Sequence, residues 1–562
     1  MNTAKEFDAI VVGSGATGGI AAKELTEKGL EVLLLEAGPA LDESIFNRPP
    51  LKRPVNVWDR MKAGVSGQHT QARCSWYSPD KKELFVNDFK NPYTTSGDDF
   101  LWIRGRQVGG RFQSWGRVAV RMSDYDFKAA SHDGFGEDWP IEYSDLVPYY
   151  ESVEKSLGVI GRKEGLDNLP DGEFIREAGL SSFEEKFKNT IQDKWDDRKL
   201  TPWRYVQSSA TLPDDTGSKH ITSPIAAALA TGKLTLRDNA VVSQVETDPS
   251  TGLATGVTFV DRESKQQYTV KANVIMLCAS TIESVRLLLN SANAANPNGL
   301  VNGSGVLGQY FMDQTNGVVF GSIPGHTGFE LVDGKHPGDN HGGFYIPRFQ
   351  NLSVDDKRYD FIRGFNIQGM IGRIPVPDTI PTLFGLTVQG EMLPRQSNCI
   401  TVNRSKKDAW GIPVANIHIK LSDNERKMAA KQMQTILEMV KEMGWNVEIA
   451  ASLLDIHNPD SLMPTANWFE RMMFRQSYKR SLGLGSAIHE CGGAKMGVTA
   501  ETSVLNKHNQ SWQIPNLFVT DASSFVTNGA CGPTLTSMAL TARAADFIAG
   551  NYEGKPFTTQ AV

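Results

Sequence analysis

A glycine-rich turn near the start of the chain has residue types and spacing suited to holding a dinucleotide. The turn, residues 13–18 with the sequence GSGATG, follows the apolar run Phe7–Val12 and precedes a helical pattern at residues 20–30. Another apolar run, Val32–Leu35, ends on Glu36. In a dinucleotide site such glycines bring backbone close to a pyrophosphate at a helix N-terminus, and the acid accepts hydrogen bonds from ribose hydroxyls. The alternative is a glycine-rich surface turn.

The last quarter of the chain contains a histidine suited to acid–base chemistry. His489 stands three residues before a Gly-Gly turn, residues 516–521 form a strand pattern ending in Asp521, and residues 529–532 lead to Pro533. Proline is favoured at the start of a helix, here predicted to run to about residue 548, so the helix dipole would direct partial positive charge at a ligand. A neutral imidazole can remove a hydroxyl proton near physiological pH, although a structural histidine fits these residues equally well.

Other apolar patterns predict the elements that must position these two groups. Short runs predict a small meander of strands at residues 234–237, 240–246, 254–260 and 268–271. A buried strand at 274–279 and a helix at 283–291, capped by Ser280 or Thr281, follow the meander. Further helices are predicted at 143–157, with Ser144 as the N-cap, and at 423–443. Strand-like runs at 342–346, 365–370 and 386–392 predict a sheet beside the nucleotide unit.

Composition and charge narrow the class of protein. The chain has 562 residues, of which 40% are hydrophobic and 22% charged, as expected for a globular protein of more than one domain. Its net charge of −6 favours neither nucleic acid nor an anionic membrane as a partner, and no apolar run approaches the roughly 20 residues of a membrane span. A first strand near residue 7 leaves no room for a signal peptide, so we expect a cytoplasmic protein, or a periplasmic one exported with a partner subunit.

The cysteines are few and scattered. They are Cys74, Cys278, Cys399, Cys491 and Cys531, with no CxxC pair or Cys/His cluster among them. We therefore expect buried thiols without chemistry, and no disulfide framework, iron–sulfur cluster or other metal site.

Seven ordered motifs resemble one enzyme family over nearly the whole chain. They are residues 13–18 with Glu36, 107–110 (QVGG), 138–141 (DWPI) with 148–150 (PYY), 307–313 (LGQYFMD), 408–413 (DAWGIP), 489–497 (HECGGAKMG), and the final strand and helix. This pattern resembles the glucose-methanol-choline (GMC) family of FAD oxidoreductases, most closely its bacterial sugar dehydrogenase and pyranose-oxidase-like branch. The resemblance implies an α/β fold, α+β overall, with a Rossmann-like FAD-binding domain interleaved with a substrate domain on an antiparallel sheet flanked by helices.

The domains are predicted to be discontinuous. The FAD-binding domain would comprise residues 1–50, 101–125, 225–315 and 485–562, and the substrate-binding domain residues 126–224 and 316–484. Residues 51–100 lack sustained periodicity and would form a loop-rich excursion.

The resemblance also implies roles for individual residues. The ADP half of FAD would be held by Gly13, Gly15, Ala16, Thr17, Gly18 and Glu36, with the backbone of Val242 at the adenine. The residues along the isoalloxazine would be Val108, Gly109, Gly110, Ser114 and Trp115. Asp521 would contact the ribityl or pyrophosphate region, Pro533 and Thr534 would face flavin N1, and His489 would be the catalytic base.

Two positions and one stretch of the chain depart from the family pattern. Gly532 occupies the place where family members usually have Asn or His as a partner to the catalytic histidine. Asn528, Cys531 or a residue of the predicted sheet could replace that partner, or His489 could act with a water. Ser114 stands where some relatives have a histidine that bonds covalently to FAD, so non-covalent FAD is expected. Residues 208–223 contain no cysteine cluster for electron relay, so electrons would leave directly from the flavin.

The implied reaction is oxidation of a sugar or glycoside CH–OH group to the ketone, with hydride passing to flavin N5 and the proton to His489. A glycoside 3-dehydrogenase or pyranose dehydrogenase is the specific expectation. Strand residues Gln368, Gln389 and Glu391 could bond the substrate hydroxyls, or could face solvent. The alternatives are an oxidase that makes hydrogen peroxide, a non-redox member that keeps FAD structurally, and a flavin-binding subunit that passes electrons to an external acceptor or partner subunit.

Overall fold

Two seven-stranded sheets form the framework of the molecule. The computed structural model describes residues 7–49, 55–206, 211–213, 219–332, 341–356, 358–457 and 481–558, together with residues 468 and 472. One sheet is mostly parallel and contains the glycine-rich turn, and the other is antiparallel.

The parallel sheet places the first strand of the chain at its centre. Its parallel strands lie in the order Leu234–Arg237, Val32–Leu35, Phe7–Val12, Gln267–Leu277 and Leu517–Val519. The first half of Gln267–Leu277 pairs antiparallel with Ala254–Asp261, which pairs with Ala240–Thr247. Ile10 and Val12 share a core with helix Thr281–Asn290, whereas Ala9 and Val11 share one with helix Ala16–Glu27. Alternate residues of the central strand are therefore buried on opposite faces.

Most of the predicted strands of this sheet are present, with two corrections. The predicted meander was wrong in one member, because Leu234–Arg237 pairs with Val32–Leu35 and extends the parallel sheet. The runs 268–271 and 274–279 form the single strand Gln267–Leu277, since Ala272 continues the ladder opposite Phe7. Helix Ala16–Glu27 begins within the glycine-rich turn, four residues before its predicted start.

The antiparallel sheet lies beside the parallel one. Its strands run in the order Ile456–His457, Asn446–Ser452, Gln314–Thr327, Pro381–Glu391, Phe365–Ile371, Phe344–Ile346 and Thr201–Pro202. Helix Asp423–Glu442, close to its predicted bounds, packs Met428, Met433 and Ile436 against this sheet, and helix Ser182–Lys194 adds Phe187. The predicted strand-like runs at 342–346, 365–370 and 386–392 all contribute to it.

Shorter elements connect the two sheets. The remaining α-helices of the described residues are Glu43–Phe46, Val57–Ala63, Asp124–Phe127, Ala129–Asp133, Tyr143–Leu157, Ser223–Ala230 and Thr534–Asn551. Three small sheets contain Cys399–Lys407 with Pro413–Ile419 and Thr94–Gly97, Leu41–Asp42 with Lys219–Thr222 and Thr211–Pro213, and Val159–Ile160 with Tyr205–Val206. Helix Tyr143–Leu157 has its predicted bounds, but its N-cap is Glu142 rather than Ser144, because Glu142 and Asp145 form a reciprocal capping box.

The helices in the described part of the chain include none long and apolar enough to cross a membrane. Within the same residues, no group of three or more His, Cys, Asp or Glu side chains is arranged to hold a metal ion. All five cysteines are free thiols.

Candidate active site

The three glycines of the first turn have three different environments. Gly13 has a φ of +94°, and a Cβ there would lie 2.5 Å from the carbonyl oxygen of Cys278. A Cβ on Gly18 would lie 1.8 Å from the carbonyl oxygen of Gly13, so only glycine lets the helix pack this closely on the turn. Gly15 has no atom within 4 Å of the corresponding position. The turn therefore leaves open space at Gly15, where a ligand can approach the backbone.

Ser14 joins the turn to the acid and to the second glycine motif. Its backbone N–H and its hydroxyl donate to Glu36 Oε2 at 3.0 and 2.6 Å, and its Oγ accepts from the N–H of Gly109 at 3.0 Å. The N–H of Gly38 donates to Glu36 Oε1 at 3.0 Å, and burial raises the pKa of this carboxyl. The sequence motif gave no role to Ser14, although its position between the two glycines was a signal for one.

One large cavity runs from this turn to the C-terminal quarter of the chain. Its empty space, open mouth included, is about 2180 Å³. Thirteen of the predicted site residues line it, namely Gly13, Gly15, Ala16, Thr17, Glu36, Gly110, Ser114, Trp115, Val242, His489, Asp521, Pro533 and Thr534. The other three, Gly18, Val108 and Gly109, lie outside its lining, with Val108 fully buried in the core beside the first helix. The structure thus brings both ends of the chain to one cavity.

Three helices begin at this cavity. They are Ala16–Glu27, Thr281–Asn290 and Thr534–Asn551, and the described residues supply no side-chain cap to any of their first turns. The free N–H groups and the positive end of each helix dipole suit a pyrophosphate and the electron-rich edge of a reduced ring. Together with the open space at Gly15, this donor set fits FAD.

Sequence reasoning missed the arginines in the cavity wall. Arg104, Arg106 and Arg286 line it, with Arg106 Nη2 2.9 Å and Arg286 Nη1 3.0 Å from the Glu283 carboxylate. The Arg104 guanidinium lies 4.0 Å from the centroid of the Trp102 ring, and burial lowers its pKa to about 10. Arg104 and Arg106 directly precede the second glycine motif, which was the available signal. Two carboxylates, Glu283 and Asp408, balance the charge of Arg106 and Arg286, with Asp408 Oδ2 2.6 Å from Arg286 Nη2.

Asp521 lines the cavity but is held from two sides. Its carboxylate accepts from the Ser523 N–H at 3.0 Å and the Ser523 hydroxyl at 2.6 Å, and also from the Ser284 hydroxyl. Burial raises the pKa of Asp521. The group is thereby fixed at the junction between strand Leu517–Val519 and the cavity.

His489 presents its ring to the same cavity. Its Nδ1 lies 2.6 Å from Gln314 Oε1, and its backbone N–H donates to Asp313 Oδ1 at 3.1 Å. Burial lowers the pKa of His489 to about 4, and the positive charge of Arg111 contributes to the shift. The imidazole is therefore neutral at physiological pH and has the protonation state that a base requires.

Gly532 leaves free space beside this imidazole. A Cβ at this position would lie 3.5 Å from His489 Nε2, so the usual family partner would stand directly against that nitrogen. Neither Asn528 nor Cys531 replaces it, because neither lines the cavity. The Asn528 amide donates to the backbone oxygen of His489 at 3.1 Å, and Cys531 lines a separate small cavity.

The antiparallel sheet contributes Tyr345, Gln368 and Gln389 to the cavity wall. Gln368 Nε2 donates to Gln389 Oε1 at 2.9 Å, and Gln368 Oε1 has no hydrogen-bond partner among the described residues. The expectation for Glu391 was wrong on both counts. It neither lines the cavity nor faces solvent, because it is fully buried and paired with Arg363 at 3.2 Å.

Comparison with known proteins identifies the family. The models of the N-terminal and C-terminal parts of GMC oxidoreductases match residues 7–316 and 394–541. The chain belongs to the GMC oxidoreductase family. The predicted family is thereby confirmed, and GMC membership makes the chain an oxidoreductase with an FAD-binding fold.

Several GMC relatives match along nearly their full length. The 2-methyl-1,2-propanediol dehydrogenase of Mycolicibacterium austroafricanum is 26% identical, over 98% of this chain and 96% of the relative. The fructose dehydrogenase large subunit of Gluconobacter japonicus is 26% identical over 97% and 98%, and the C-glycoside 3-oxidase of Microbacterium trichothecenolyticum is 22% identical over 97% and 96%. A formate oxidase structure covers 98% of this chain and 100% of its own at 16% identity, with a TM-score of 0.66, which confirms the α/β fold.

Proposed function

We propose that this chain uses non-covalently bound FAD to oxidise the CH–OH group of a sugar or glycoside to the ketone, with His489 as the base. The main support is that one cavity is lined by the dinucleotide turn, by a neutral imidazole and by paired amides. Bound FAD would supply the hydride acceptor, N5. His489 Nε2 would take the hydroxyl proton, and the three open helix N-termini would hold the cofactor's anionic groups.

The paired amides favour a polyhydroxylated substrate. Because Gln368 and Gln389 bond to each other, one keeps a free oxygen and the other keeps free N–H groups, whichever way each amide is turned. Neighbouring hydroxyls of a sugar both donate and accept, so they match this pair. Two relatives, the fructose dehydrogenase large subunit and the C-glycoside 3-oxidase, are named for such donors. A glycoside 3-dehydrogenase or pyranose dehydrogenase fits these features.

An anaerobic screen of sugars, glycosides and simple alcohols tests the function. We expect sugars or glycosides to bleach the oxidised-flavin absorbance, and simple alcohols to do so weakly. The same donors under air separate a dehydrogenase from an oxidase, because an oxidase forms stoichiometric hydrogen peroxide. Bleaching by simple alcohols alone would refute the sugar assignment, and no bleaching by any CH–OH donor would refute the reaction.

Removing one amide should weaken sugar binding selectively. We expect Gln389→Leu to raise KM for the best sugar roughly three- to tenfold, the usual range for one hydrogen bond, and to leave a simple alcohol donor unaffected. Gln396→Leu is the matched control, since Gln396 makes the same kind of amide pair with Gln309 at 2.7 Å outside the cavity. Steady-state kinetics of both variants measure these KM values. An equal rise in KM for sugar and for simple alcohol would argue against recognition of the sugar by this amide pair.

FAD should be released by acid precipitation. Ser114 lines the cavity next to Trp115, and its hydroxyl donates to the backbone oxygen of Arg111 at 3.3 Å, so this position offers no histidine to the flavin. After precipitation with trichloroacetic acid, the yellow colour is expected in the supernatant. Colour that stays with the pellet would show covalent attachment through another residue.

A second role, as the flavin-carrying subunit of a larger complex, is favoured by one segment of the chain. Large exposed apolar side chains cluster in residues 57–89, including Trp58 at 65% and Phe89 at 65% exposure, and Trp76 of the same segment also lines the cavity. A relative is itself a large subunit. An electron-transfer subunit bound at this segment would lie next to the cavity that Trp76 lines, and could take electrons from the flavin there. Export together with such a subunit would allow a periplasmic rather than a cytoplasmic location. Co-purification from the native host with tagged chain tests this role.

A further inference from the structure

Gln314 lies directly opposite His489 because of a short backbone pairing. Met312 N–H donates to the Cys491 oxygen at 2.8 Å, and Cys491 N–H donates to the Met312 oxygen at 2.9 Å. This pair is an isolated antiparallel bridge outside the two large sheets. Gln314 and His489 each lie two residues from this bridge, and their side chains meet at 2.6 Å.

The orientation of the Gln314 amide is determined by its other contacts. Its Nε2 lies 2.8 Å from the Cys531 oxygen, 2.9 Å from the Gly529 oxygen and 3.3 Å from Asn528 Oδ1. The two backbone oxygens accept only, so the nitrogen of the amide must face them. Oε1 therefore faces His489 Nδ1, at 2.6 Å.

We infer that Gln314 is a positioning residue that keeps the proton of neutral His489 on Nδ1 and the lone pair on Nε2, facing the cavity. An amide oxygen can only accept, so Nδ1 must donate to it. Nε2 points toward the space beside Gly532, where a Cβ would lie 3.5 Å away. This inference rests on the proposed function only for the use of Nε2 as the base, and the tautomer itself is independent of any substrate.

The same contact offsets the missing family partner. When Nε2 takes a proton, the imidazolium retains its Nδ1–H bond to Gln314, so the amide oxygen stabilises the cation inside a buried site. The charged groups near the ring are Arg111, which opposes the cation, and the acids Asp313 and Glu490, of which Glu490 pairs with Arg111 at 2.9 Å. Burial raises the pKa of Asp313 to about 7, so measurements belong at about pH 8, where it is ionised.

Nitrogen NMR of protein with ¹⁵N-labelled histidine reads the tautomer without any turnover. His489 signals are assigned by their loss in His489→Asn. In the wild-type holoenzyme at about pH 8, we expect a protonated Nδ1 and an unprotonated Nε2. In Gln314→Met, which removes the acceptor at similar volume, the signals should move toward a mixture of tautomers. An Nε2–H tautomer in the wild type, or no change in the variant, would overturn the inference.

The rate of flavin reduction by the best donor is the second measurement. Gln314→Met should slow anaerobic reduction roughly 10- to 100-fold with little change in KM, because the population of the reactive tautomer falls and the imidazolium also loses its hydrogen-bond acceptor at Nδ1. Gln432→Met is the matched control. Gln432 is an equally buried amide, and its Nε2 donates to Oγ1 of Thr315, the residue that follows Gln314 in the strand, at 2.9 Å. We expect it to lose comparable thermal stability but to keep the wild-type rate and NMR pattern.

The NMR and rate measurements together distinguish failure of the inference about Gln314 from failure of the proposed function. Equal slowing in both variants, or an effect on KM alone, would reduce Gln314 to a structural role. Normal NMR behaviour with no sugar able to reduce the wild-type flavin would leave the tautomer established and refute the proposed function.

Discussion

Replacing His489 by alanine should slow anaerobic reduction of the flavin by sugar about 10²- to 10⁴-fold, the usual range for loss of a general base. The side chain is neutral because burial lowers its pKa to about 4, and its Nε2 faces the space beside Gly532. Stopped-flow absorbance at the oxidised-flavin band measures the rate. His418→Ala is the matched control, since His418 bonds Ser96 at 3.0 Å on a small sheet outside the cavity.

The rate of flavin reduction should fall at low pH, where His489 becomes protonated. The imidazole acts as a base only when neutral, so the wild-type rate should fall as the pH drops toward 4 rather than through 6.5, the ordinary value for histidine. A step near pH 7 would report Asp313, whose pKa burial raises to about 7. If His489→Ala reduces its flavin as fast as the wild type, another group is the base.

Filling the space at Gly15 should abolish cofactor binding while sparing the fold. Gly15 has a φ of −67°, which any residue can adopt, and no protein atom lies within 4 Å of a Cβ there. Gly15→Leu should therefore fold but place its side chain where the pyrophosphate approaches, lowering the bound flavin at least about tenfold. The flavin-to-protein absorbance ratio and the melting temperature of the apoprotein measure the two effects.

Two neighbouring glycines supply the contrast. Gly18→Ala should unfold the turn itself, because its Cβ would lie 1.8 Å from the Gly13 oxygen. Gly19→Ala meets nothing closer than 3.4 Å and should keep both fold and flavin. A yellow Gly15→Leu protein would show that the cofactor does not approach the backbone here.

The elements that local sequence determines were predictable. The pairing of strand Phe7–Val12 with Val32–Leu35 and the close contact of Gly18 with Gly13 follow from a short pattern, because the partners lie within about 25 residues of each other. Pairings between distant segments were not. Leu234–Arg237 has a strand pattern that fits a meander as well as a parallel edge, and only its contact with Val32–Leu35 decides between them.

Prediction of the active site from sequence has the same limit. His489 and Gly532 are recognisable from their motifs, but the partner of the imidazole, Gln314, lies 175 positions away and is placed by a backbone register that no local pattern contains. Glu391 looked available because strand alternation does not reveal that Arg363 neutralises it in the interior. Buried pairs of opposite charge are a property of the packed chain.

The place of strand Leu517–Val519 has a consequence for biosynthesis. It is the parallel strand at one end of the row and hydrogen-bonds Gln267–Leu277, and the helix that follows completes the wall of the cleft. Until strand Leu517–Val519 and helix Thr534–Asn551 have left the ribosome, residues 275–277 have no partner strand on that side and one wall of the cleft is missing. Loading of the prosthetic group must therefore wait for this strand and this helix, and a nascent chain stalled before residue 517 should emerge colourless.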